Sequence, residues 1–156
     1  MKSQTTNISV FDVARHILHL SKTGMTTRKL QKLAFFCQGF HLAVFDTELF
    51  FDDFEAWQFG PVCYRLFKAH QGKYTVVKDD IKGDPTKLTT KQRALIELVF
   101  SQLDDLSGDQ LSELTHAEGT PWWNVRKFHD LPEDASSEIT ISKDSIKEYF
   151  KSLQKA

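Results

Sequence analysis

From Leu30 to Leu42 the chain reads Leu-Gln-Lys-Leu-Ala-Phe-Phe-Cys-Gln-Gly-Phe-His-Leu. A stretch that is apolar almost all round at helical spacing has to lie inside a fold rather than on it. Leu30, Leu33, Ala34, Cys37 and His41 share one face, while Phe36, Phe40, Leu42, Ala43 and Val44 fill most of the rest. Thr26 is placed to cap this helix. Two residues interrupt it: Gln38 is polar, and Gly39 costs about 1 kcal/mol against Ala in a helix interior. A glycine held at that cost implies close approach of a neighbouring element. After a turn-rich connection over 46–53, Phe54 to Phe59 suggests a short extended segment leading into Gly60-Pro61. Pro61 then fits the first turn of a third helix reaching about His70, with Val62, Leu66 and Phe67 or Ala69 pointing inward.

The flanking segments are also mostly helical. Ser9 and Asp12 form a Ser-x-x-acid start signal for a helix from Val10 to about Lys22. Tyr74 to Val77 has strand propensity, and Gly83-Asp84-Pro85 is a break. Thr89 or Thr90 caps a helix carrying Ala94, Leu95, Leu98, Val99 and Leu103, which Ser107-Gly108 should end. A shorter helix follows over about 109–117, and Pro121 opens another that reaches Phe128. Ile139 to Ile141 reads as a short strand, and Ser142 caps a final amphipathic helix bearing Ile146, Tyr149, Phe150 and Leu153. The expected fold is mainly α: a compact bundle of about six helices around a central apolar helix, with at most a few short strands. One domain over residues 1–156 is expected, with 1–8 a flexible amino-terminal segment.

Bulk properties exclude several function classes. Forty per cent of residues are hydrophobic, 13 residues being Phe, which removes the chain from the disordered class. A net charge of -1 offers no electrostatic footprint for direct nucleic-acid binding. No apolar run approaches the roughly 20 residues that a membrane span needs, and the first residues lack the apolar core of a signal peptide, so a cytoplasmic location is expected. Cys37 and Cys63 lie in apolar segments and read as reduced, buried thiols.

Reactive constellations are sparse. Cys37 and His41 share a helix face, with Cys63, His116 or Glu118 as conceivable further ligands, but paired motifs such as Cys-x-x-Cys or His-Glu-x-x-His are missing. Core residues are the better reading, and no metal or other cofactor is expected. His16 and His19 read as surface or half-buried side chains. A cysteine nucleophile with His116 as base lacks any oxyanion motif beside it, and Asp52-Asp53, Asp104-Asp105 and Glu133-Asp134 read as solvated carboxylates. No catalytic residue is therefore assigned, although a metal-dependent or cysteine hydrolase built on Cys37, His41 and His116 stays open as an alternative. Consecutive Phe50 and Phe51 cannot easily share one pocket, so an association surface is read around Phe51, Asp52, Asp53, Gln58, Tyr64 and Arg65. Trp123, pointing away from a core Trp122, joins it as a candidate contact. Lys22, Arg28, Lys29 and Lys32 form a small basic cluster, a solvated helix face or the complement of an acidic partner.

Several motifs taken together resemble the Panacea domain family of SocA-like antitoxins and phage-associated proteins. They are Leu30-Gln31-Lys32-Leu33, Gln38-Gly39, the Ala56-Trp57 to Gly60-Pro61-Val62 block, and Thr115-His116 followed by Pro121-Trp122. The resemblance extends to Ile139-Thr140-Ile141-Ser142, Ile146 and Tyr149-Phe150. It implies that Leu30, Gln31, Lys32, Leu33, Gln38, Gly39, Trp57, Gly60, Pro61, His116, Pro121 and Trp122 form the framework of the domain. It also implies a non-enzymatic antitoxin that neutralises a cognate toxin by direct protein contact. A branch of the family resembles proteolytic adaptors, which would add a protease as partner; a mobile-element protein binding another host factor is a related alternative.

Overall fold

Helices begin in this chain where a side-chain oxygen can take up the first free N–H groups. The structure, a computed structural model, describes residues 6–154. In chain order α1 is Val10–Ser21, β1 Met25–Thr26, α2 Thr27–Phe45, β2 Phe54–Trp57 and β3 Gly60–Val62. Next come α3 (Tyr64–His70), β4 (Thr75–Val76), two short 3-10 turns (Lys78–Asp80 and Pro85–Lys87), and α4 (Thr90–Leu103). The remainder is α5 (Gly108–His116), α6 (Pro121–Phe128), β5 (Thr140–Ile141) and α7 (Lys143–Gln154). Ser9 with Asp12, Thr89 with Gln92 and Ser107 with Gln110 form reciprocal capping boxes. Thr26, Thr120 and Ser142 cap α2, α6 and α7 through their hydroxyls.

The architecture is mainly α, with seven α-helices among the described residues. Central α2 packs against α1, α3, α4, α5 and α7. Two small antiparallel sheets flank it, one pairing β1 with β4 and the other ordered β3-β2-β5. In the second, Ala56 opposes Pro61, Trp57 opposes Gly60, and Phe54 opposes Ile141.

Two boundaries differ from expectation. Pro61 does not start α3. It lies in β3, an edge strand, where a residue without an N–H is tolerated. The helix begins only at Tyr64, after a Cys63 that provides no side-chain cap. Ser107-Gly108 does not end α4, which stops at Leu103; Ser107 instead caps α5, because its capping box with Gln110 outweighs the stop signal of the glycine. In α4 the buried residues are Ile96 and Val99, while Ala94 and Leu98 face outward. In α3, Leu66 is buried, Phe67 half-buried and Ala69 exposed. Of the segment expected to be flexible, residues 1–5 lie outside the described residues, but Ile8 is buried and its carbonyl accepts from Phe51 N at 3.2 Å.

The close approach implied by Gly39 is made by α7. Phe150 lies against the glycine, where an added Cβ would overlap its ring. The same ring meets Phe35, Phe36 and Phe40 edge-on, with centroids 5.8, 5.8 and 4.8 Å away. Gly39 thus lets an aromatic from the last helix reach the backbone of the second. Gly39→Ala is expected to lower stability by about 1–3 kcal/mol despite the better helix propensity of Ala, because the core is overpacked. Phe150→Leu should rescue part of that loss in a double-mutant cycle followed by urea unfolding; strictly additive effects would refute the contact.

Candidate partner-binding site

The polar residues that interrupt α2 are buried and spent on backbone. Gln31 accepts from Cys63 N at 2.9 Å and donates to the Cys63 carbonyl at 3.2 Å. Two turns along the same face, Gln38 accepts from Leu49 N at 2.7 Å and donates to the Phe50 carbonyl at 2.8 Å. His41 Nδ1 donates to the Thr47 carbonyl at 2.7 Å, and Lys32 Nζ donates to the Pro61 carbonyl at 3.0 Å. Four side chains of one helix therefore bind the main chain of the segment 47–63. Gln31, Gln38 and Lys32 each supply a partner that a buried peptide group would otherwise lack.

The other side of the same hairpin is held from α5 and α6. His116 places Nδ1 2.6 Å from the Ser112 carbonyl and Nε2 3.1 Å from that of Gln58, and Ser112 Oγ donates to the Phe59 carbonyl. Trp122, fully buried, donates its indole N–H to the Trp57 carbonyl at 2.6 Å. Arg126 donates to the Ala56 carbonyl at 2.8 Å and to that of Pro132 at 2.9 Å, with its guanidinium over the Trp122 ring at 4.8 Å. Pro121 opens α6 at its first position, which aims Trp122 inward. Ser112 and Arg126 were missed in the sequence. Arg126 sits four residues after Trp122 and therefore on the same helix face, which was the available signal.

Lys32 corrects the basic cluster. It is 1% exposed, beneath Gly60, which has φ +121 and whose missing Cβ would overlap Lys32 Cε. Burial, and after it the Arg28 charge, pulls the Lys32 ammonium down to about 7. Arg28 pairs with Asp109 at 2.6 Å, and Lys29 with Asp104 at 3.2 Å. Only Lys22 of the four is exposed. His70 is buried next to Gln31, whose Nε2 donates to its Nε2 at 3.1 Å, and burial lowers its pKa.

The residues read as an association surface are divided by the structure. Asp52 is buried, its carboxylate accepting from Val10 N at 2.8 Å and pairing with Arg65. It tethers the start of α1 rather than facing outward. Asp53 is exposed and pairs with Lys143 at 2.7 Å. Phe50 is buried and Phe51 is 40% exposed, with the Arg65 guanidinium 5.2 Å from the Phe51 ring and 4.9 Å from that of Phe11. Tyr64 is exposed beside Phe67. Trp123 is half-buried against the core, with Lys127 Nζ 5.6 Å from its ring.

Gln58 belongs to a different feature. A cleft of about 420 Å³ opens between α2, the β2–β3 turn and the loop before β5, lined by Arg28, Gln31, Lys32, Trp57, Phe59 and Phe67 among others. Three of the framework residues, Gln31, Lys32 and Trp57, thus line a concave surface.

The residues of the alternative hydrolase are not assembled as a reactive centre. Burial raises the thiols of both cysteines, that of Cys63 to about 12, so neither is poised as a thiolate. His41 is committed to Thr47, and burial lowers its pKa. Among the described residues no group of three or more His, Cys, Asp or Glu is gathered so as to hold a metal ion. No helix of the described residues is long and apolar enough to cross a membrane. His16 is buried, not half-buried, and its Nε2 lies 3.5 Å from Glu97, whereas His19 is exposed.

The family profile described as Antitoxin SocA-like, Panacea domain, matches residues 30–123. The chain is also similar to the protein named Antitoxin SocA from Caulobacter vibrioides (strain NA1000 / CB15N), with 36% identity over 104 residues covering 60% of this chain. The match spans 55% of that relative, about half its length. No solved structure matches.

A base whose folded value lies below its unfolded one costs stability in full below the folded value, and the cost fades as pH rises towards the unfolded one. For Lys32 that window runs from about 7 to the ordinary 10.5. The stability difference between the natural chain and Lys32→Met should therefore move in favour of the natural chain by on the order of a few kcal/mol as pH rises across this window. Urea unfolding of both proteins at several pH values tests this; a difference independent of pH would show that the buried ammonium stays charged.

Proposed function

Because the chain belongs to the SocA-like Panacea domain family, we propose that it is an antitoxin, acting in the cytoplasm, that neutralises a cognate toxin by direct protein contact. The observation that carries this reading is the use made of the family motif. Gln31, Lys32, Gln38, His116 and Trp122 all direct their polar atoms at main chain. Side chains committed in this way build a rigid surface and leave few groups free to do chemistry. Inhibition then follows from occupying the toxin, and a stable complex of that kind buries about 1,200 Å² or more.

The test is to express the product of the neighbouring reading frame alone and together with this protein. Growth arrest by the first, relief by the second and co-purification of the two proteins are expected. A harmless neighbour, or toxicity that persists on co-expression, would remove the antitoxin reading. In the relieved cells the toxin should persist after translation is blocked; its rapid loss would mean delivery to a protease instead.

A further inference from the structure

Three depressions meet at Arg28. The cleft of about 420 Å³ adjoins a second of about 660 Å³, which shares Arg28, Gln58 and Phe59 with it and adds Asp109, Glu113, Glu133 and Asp134. A third, about 330 Å³, shares Thr27 and Arg28 with the first and is bordered by Tyr74. The rims carry large exposed aromatics, Phe59 at 53% and Tyr74 at 80%. Contiguous apolar surface with a polar border is the composition of an association site.

The charge on this surface has one sign. Arg28 is neutralised locally by Asp109 at 2.6 Å and by the Phe59 ring, 4.8 Å from its guanidinium. Glu113, Glu133, Asp134 and Glu138 are exposed and, among the described residues, enter no ion pair. The other cation of the lining, Lys32, is buried under Gly60 and easily discharged. A chain of net charge -1 thus concentrates four free carboxylates around one aromatic trough.

We propose that the Arg28-centred trough is the docking surface for a basic segment of a partner protein. Lysine or arginine side chains of that segment meet Glu113, Glu133, Asp134 and Glu138, while an apolar side chain seats against Trp57, Phe59 and Phe67. Complementary charge steers the encounter and rejects acidic competitors, and the aromatic anchor slows dissociation. Nucleic acid would meet like charge here. The proposal rests on the antitoxin reading only in taking that partner to be the toxin.

The test uses the full chain, isotope-labelled for NMR, titrated with two end-blocked hexapeptides that share a central Leu-Phe and carry either four lysines or four glutamates. The basic peptide should shift Arg28, Glu113, Phe59 and the Trp57 indole. It should bind about tenfold or more tightly than the acidic one, with affinity falling as salt rises. Phe59→Ala should weaken the basic peptide. Combined Glu113→Lys, Glu133→Lys, Asp134→Lys and Glu138→Lys, all exposed positions, should reverse the order of the two peptides. Equal affinities, shifts mapping elsewhere, no shift at millimolar peptide, or self-association through these residues would each overturn the proposal. Peptide binding without relief of any toxin would fail the antitoxin reading alone. Full relief by the charge-reversed variant would fail the docking surface alone.

Discussion

The structure depends on amides and an ammonium buried inside its central helix. Residues 47–63 run from the end of α2 through β2 and β3, and much of that backbone is not in regular structure yet is covered by protein. Buried peptide groups without partners would cost on the order of 1–3 kcal/mol each. Gln31 and Gln38 remove that cost by presenting a donor and an acceptor together, as a neighbouring strand would. With Lys32 and His41 they turn one helix into a template for the segment beside it. The hairpin is then fixed from its other side by Ser112, His116, Trp122 and Arg126.

Lys32 shows how tightly this arrangement is drawn. Its ammonium lies under a glycine with positive φ and donates to the carbonyl of a proline in an edge strand. A Cβ at residue 60 would collide with Lys32, and α3 cannot begin until the chain has left the strand. The Gly-Pro-Val block is therefore a description of what can pass over a buried lysine. Placing the motif beneath the surface leaves the surface itself to the aromatic and acidic residues around Arg28. Of the family signature, Gln31, Lys32 and Trp57 reach the cleft, beside Arg28, Phe59 and Phe67 from outside it.

The helices were legible because their signals are local. Ser9 with Asp12, Thr26, Thr89, Thr120 and Ser142 each act within four residues, so caps and starts survive any tertiary arrangement. Gly39 was readable as a close approach, but that Phe150 makes it depends on a residue more than a hundred positions away. Where two local signals competed, at Gly60-Pro61 and Ser107-Gly108, hairpin pairing with β2 in the first case and a capping box in the second chose between them. The candidate site was legible only in part. Asp52 and Lys32 read as surface charges because nothing near them in sequence reveals Val10 N, Arg65 or the Pro61 carbonyl.

The sequence by itself determined which segments are helical, that an apolar helix lies at the centre, and that the motif set is that of the SocA-like Panacea family. Those properties follow from periodicity, capping and residue identity over short spans. Tertiary structure alone decided that the interrupting Gln31, Lys32 and Gln38 are clasps for a distant backbone. It also decided that Arg28, Phe59, Glu113 and Glu138 share one face. Burial and charge proximity are properties of juxtaposition: the same lysine is a solvated cation or an easily discharged buried base according to what the fold lays over it.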